Sequence, residues 1–249
     1  MTFYADGWNF NTSIENQSVL KPLCEPGEQH LQIPKEPRLY RYFARTEDPV
    51  LLQANGEHYR GFYCHVSEKT ELPSYLLWCL YPPNFTGDTF REKVAFDDLI
   101  YIRHTTCADP TGCVATYAHE LQHFIQHRRS ARLLRANNVL YFNLKQFEPN
   151  ATASDIPTER EANIVSKRVA EAVCGEEAVN AFADAQVRLM ESLGNQEQKD
   201  RWVFFRDVPS STSYDVLGST VSFVERYRAV MDFGFDVSQP EWWLGPLED

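Results

Sequence analysis

The sequence predicts an α+β protein, with a small β-sheet in the N-terminal half and a helical C-terminal half, and three observations carry that expectation. Short runs rich in aromatic and β-branched residues recur between about 61 and 106. Turn-forming stretches such as Pro82-Pro83-Asn84 separate them. Beyond Gly112 the apolar residues return every three or four positions instead, which is the period of a helix.

Taken in order, residues 1–60 are rich in Pro, Asn and Glu with little periodicity, and read as an irregular N-terminal extension. Residues 61–249 form the domain proper, with its core at 95–175. Strand-like runs begin at Gly61 (GFYCHVSE), Tyr75 (YLLWCLYP) and Asp97 (DDLIYIRHTT), and the last is expected at a sheet edge. Val114, Ala118, Leu121 and Ile125 then mark the buried stripe of a helix running to about Ala136. Further helices are expected at about Pro157–Cys174, Glu176–Leu193 and Tyr214–Met231.

Composition narrows the function classes. Hydrophobic residues at 43% and charged residues at 24% suit a folded domain and exclude wholesale disorder. A net charge of −11 argues against a broad nucleic-acid surface. The basic cluster Arg128, Arg129, Arg132 and Arg135 sits where cations complement the dipole of a helix C-terminus. No apolar run reaches the ~18 residues of a membrane span, and the opening residues lack the basic and apolar regions of a signal peptide, so a cytoplasmic protein is expected. Six cysteines lie scattered without CxxC spacing and read as buried thiols. Cys107 and Cys113 flank a turn-like segment where a disulfide is conceivable.

The chemistry concentrates in His119-Glu120-Leu121-Gln122-His123, an HExxH pattern. Four residues at about 100° each bring both imidazoles to one helical face, one turn apart, where they can meet a single tetrahedral zinc ion. Glu120 lies about 100° round from His119, able to reach a water beside the ion without occupying a ligand position. Such a pattern arises by chance in at most about three of every hundred chains of this make-up, and a third ligand on a second helix makes it more persuasive.

Asp155-Ile156-Pro157-Thr158-Glu159-Arg160-Glu161-Ala162-Asn163 supplies two rivals for that ligand. Glu159 and Glu161 are about 200° apart on a helix, so only one can face the metal. Glu159 is the choice, because Asn163 shares its face and is placed to hydrogen-bond a ligating histidine from behind. Thr158-x-x-Glu161 fits a capping box, which gives Glu161 a task of its own. His127, about 12 Å from His119 by helical rise, stands too far along the axis to be a third ligand. It reads as a surface residue or as an outer partner of the site.

HELQH followed by Glu159-x-x-Ala162-Asn163 resembles the gluzincin arrangement of metallopeptidases, and is most similar to the ImmA/IrrE-type and HtpX-type patterns. The resemblance covers about residues 112–175. It implies a zincin-like fold, one Zn²⁺ per chain on His119, His123 and Glu159, Glu120 as general base, and Asn163 as an outer partner. It also implies a protein or peptide substrate. The metzincin pattern departs here, since Gln126 stands where that family has Gly and Arg129 where it has His.

An oxyanion-stabilising group is then expected from Tyr141, Tyr214, Tyr227 or the upstream His104. The expected activity is a zinc endopeptidase of narrow target range. The alternative is a regulatory, immunity-type or effector protein that uses the same fold to bind a partner with little general proteolysis.

Overall fold

The structure is a computed structural model and describes residues 39–43, 60–65, 98–103, 106 and 109–245. The run expected at Tyr75–Pro82, together with His104 and Cys107, lies outside them. The chain divides into two compact units, Met1–Leu121 and Gln122–Asp249, and the division falls within one helix.

The first unit holds three strands, β1 (Leu39–Phe43), β2 (Gly61–His65) and β3 (Asp98–Ile102), in the order β1-β3-β2. β3 runs parallel to β1 and antiparallel to β2. Asp98, Ile100 and Ile102 alternate along it and share its buried face, as a period of two requires. Asp98 is tied down there: its Oδ1 accepts from the Tyr63 hydroxyl at 2.5 Å and lies 2.9 Å from His65 Nδ1. The edge position expected of β3 is not observed. As the central strand it spends its backbone groups on two neighbours, so a peptide cannot add to it.

Helix α1 (Pro110–Arg129) starts on a proline, whose missing N–H costs nothing at the first helical position. Its last turn carries His127, Arg128 and Arg129 against the helix dipole. The sequence predicts a stripe, yet residues 112–124 are buried all round. Cys113 is fully buried. The helix also stops short of Ala136. Ser130 turns extended at φ −161° and ψ 117°, and its hydroxyl accepts the Leu133 N–H, so that α2 (Ala131–Phe147) begins as a separate helix.

The second unit continues through a 3₁₀ turn (Ala153–Asp155), α3 (Pro157–Cys174), α4 (Glu176–Ser192), α5 (Gln196–Asp207), α6 (Val216–Tyr227) and the short α7 (Pro240–Trp243). Ala136, Leu140 and Leu144 recur every four residues on α2 and pack with Val224 and Tyr227 of α6, Phe233 and the fully buried Trp243. Arg132 stacks on Trp242 at 3.6 Å and Arg135 lies 5.9 Å from the Phe235 ring, so half of the basic cluster lines the C-terminal segment. Gly234 sits beside Arg135 at φ 71°, a backbone conformation that an L side chain adopts only with strain.

Two contacts fix the elements that matter for the site. The N-cap of α3 is Ile156, which offers no side-chain acceptor, and the capping box expected from Thr158 and Glu161 does not form. Buried Asn137 on α2 takes over, accepting the Thr158 N–H at 3.3 Å while its amide donates to Leu133 O and Thr220 Oγ1. Asn137→Ala is therefore expected to lower stability by about 1–3 kcal/mol, read by urea titration, because it strands a buried N–H. At the other end, buried Lys167 on α3 donates to the Arg206 and Val208 carbonyls and so anchors the end of α5. Among the described residues no helix is long and apolar enough to cross a membrane.

Candidate metal centre

His119, Glu120 and His123 are each more than nine-tenths buried on α1. His119 and His123 stand one turn apart on a single helix, and Glu159 comes from the first turn of α3. The ligand atoms of His119, His123 and Glu159 all lie within 4.8 Å of one another.

The His123 ring is set by its neighbours. Gln126 Nε2 donates to the Thr158 carbonyl and to Glu161 Oε2, both at 2.9 Å, which fixes the amide and turns Oε1 toward His123 Nδ1 at 2.8 Å. Nδ1 is then the donor, and Nε2 presents its lone pair toward Glu159 Oε1 at 3.1 Å. With His123 neutral these are two Lewis-basic atoms that a metal ion would bridge; with His123 protonated the same separation is an N–H···O bond. A tetrahedral zinc with ligand bonds of about 2.0–2.1 Å has edges of roughly 3.3 Å, so the pair fits that ion.

Glu159 and Glu161 part as their angular separation requires. Glu161 Oε2 accepts from Gln122 at 3.1 Å as well as from Gln126, so it braces α1 against α3 from outside the cluster. Glu159 keeps one oxygen on His123 and gives the other to Arg201 Nη2 at 3.2 Å. Its place in the first turn of α3 favours its negative charge.

Asn163 is buried on α3, but its Nδ2 has no hydrogen-bond partner. At His123 Nδ1 the partner is Gln126. His127 is buried rather than at the surface. Of the three tyrosines, Tyr227 bonds Glu148 in the α2/α6 core and Tyr214 lies 5.9 Å from the Arg160 guanidinium. At Tyr141, partial burial first, and the Glu159 carboxylate second, hold the hydroxyl above its ordinary pKa.

Gln126, Gln122 and Arg201 are the contributors that sequence reasoning missed. Gln126 had a signal, since it follows His123 by three residues and shares its face. Arg201 had none, because its contact spans 42 positions. Gln126→Leu is expected to weaken zinc binding by roughly 10–100-fold, measured by competition with a chelating dye, since it frees the tautomer and rotation of His123.

Comparison with models of protein families, with curated proteins and with solved structures gives no match.

Proposed function

We propose that the chain is a zinc-dependent endopeptidase of zincin-like fold, with the metal on His119, His123 and Glu159. The observation that carries this is the convergence of two imidazoles and a carboxylate, all within 4.8 Å, beside a glutamate on the same helix. Zinc, when bound, supplies Lewis-acid activation of a water and of a peptide carbonyl.

The rest falls to the chain's own groups. Glu120 takes a proton from the attacking water on its carboxylate and passes it to the leaving amine. Gln126 holds His123 Nδ1–H so that Nε2 faces the metal position. Arg201 holds the second oxygen of Glu159 and so orients the first toward His123. Tyr141, whose hydroxyl partial burial and the Glu159 carboxylate hold above its ordinary pKa, would be the donor to a carbonyl oxygen as negative charge grows there.

The test is incubation of the zinc-loaded chain with a cell lysate, followed by mapping of new protein N-termini. A small set of cuts at few proteins is expected, absent from Glu120→Gln. Zinc-loaded protein that produces no cuts would overturn the peptidase reading and leave partner binding in its place.

A further inference from the structure

We propose that Lys167 is a positioning residue of the metal centre: it fixes α5 in register against α3, and through α5 it sets the bond from Arg201 that orients Glu159. This rests on the metal centre proposed above.

Lys167 lies in the middle of α3 and is 5% exposed. A buried ammonium loses its hydration, a cost that an apolar side chain of similar length avoids. Its Nζ is satisfied instead by the end of α5. It donates to the Arg206 carbonyl and, at 2.7 Å, to the Val208 carbonyl, with Glu171 Oε1 3.8 Å away. Those carbonyls stand where a helix has no further amide to offer and where its dipole favours a cation. One ammonium reaches both only when α5 ends at a single place beside α3.

The other contacts between the two elements follow the same order. Glu159 meets Arg201 at 3.2 Å, and the Arg160 guanidinium lies 4.6 Å from the Phe204 ring. Beyond Lys167, Arg168 donates to the Ser210 and Thr212 carbonyls, both at 2.9 Å. Partners rise together along the chain, so a slide of α5 along α3 strains all of these contacts at once. They resist it unequally. The ring contacts of α5, Phe204 with Arg160 and Trp202 with Phe182 of α4, tolerate a small slip, because they lack the narrow distance and angle of a hydrogen bond. The Arg168 bonds are exposed, where water competes for the carbonyls. Lys167 is both buried and directional. Arg201 precedes Arg206 by five residues on one helix, about 7.5 Å of rise, so a displaced α5 end carries Arg201 with it. At 3.2 Å the Arg201 bond to Glu159 already stands at the long end of the hydrogen-bond range, and a further slip breaks it.

The experiment is a double-mutant cycle on the full chain, with the zinc Kd read by competition with a chelating dye and the fold by urea titration. Lys167→Met keeps the apolar stem and removes the donor, while Arg201→Gln removes the hold on Glu159. Each is expected to raise the zinc Kd by roughly 10–100-fold. The double variant is expected to match Arg201→Gln within about threefold, because Lys167 then has nothing left to set. Should Lys167→Met not fold, Lys167→Gln, whose amide still reaches one carbonyl, is read in the same cycle with a smaller rise expected. A lower urea midpoint with an unchanged Kd would show Lys167 to be structural only and overturn the proposal. Losses that multiply in the double variant, or an Arg201→Gln chain that keeps the wild-type Kd, would overturn it as well and leave the metal centre standing. A wild-type chain that binds no zinc overturns the metal centre and the positioning role together.

Discussion

Replacing Glu120 by Gln is expected to slow hydrolysis of a cleaved protein by roughly 10²–10⁴-fold while zinc content stays at one per chain. The amide keeps the size of the carboxylate and can still hydrogen-bond a water, but it cannot accept that water's proton. Because Glu120 adjoins His119 on α1 yet stands apart from the three residues that converge, metal affinity and turnover separate in this variant. Cleavage of a mapped substrate, followed alongside metal analysis of the same sample, reads both. Unchanged turnover would remove Glu120 from the chemistry; lost zinc would place it among the ligands.

The second large effect concerns folding. On the proposed reading, a site assembled from α1 and α3 would bind metal only when those helices are in place, so zinc is expected to stabilise the folded chain by mass action. At free zinc of 100 to 1,000 times Kd, the gain is about 2.7–4.1 kcal/mol. In His123→Ala the lone pair facing Glu159 is gone, and zinc at the same concentration is expected to add less than about 1 kcal/mol, since affinity falls out of that range. Denaturant titrations of both proteins, with and without zinc, decide it. Equal stabilisation of wild type and variant would mean that the metal binds elsewhere.

The legible parts of the sequence were those fixed locally. Proline at one end and Cys174-Gly175 at the other bound α3 where they were expected to. Spacing alone put His119 and His123 on one face. What escaped was settled by partners distant in the chain. The bonds that hold Glu161 come from two glutamines of α1, and the α3 cap comes from Asn137 of α2. Helix α5 gave no periodic signal, because its apolar residues form one block, Trp202 to Phe205, behind two polar turns. Arg201 was hidden with it. The break at Ser130 was readable in principle, as a capping residue within an otherwise continuous run of helix formers. The strand Leu39–Phe43 falls within residues 1–60, where the sequence analysis placed none; its parallel pairing with β3 joins segments 59 positions apart.

The most direct test of the centre is zinc-edge X-ray absorption on the purified chain, which reads the ligands of the metal without reference to any substrate. The expected result is one zinc per chain, with nitrogen and oxygen neighbours at about 2.0–2.2 Å and an imidazole scattering pattern from two histidines, lost in His119→Ala and in His123→Ala and kept in Glu161→Gln. A chain that holds no zinc, or a shell containing sulfur at about 2.3 Å, would contradict it.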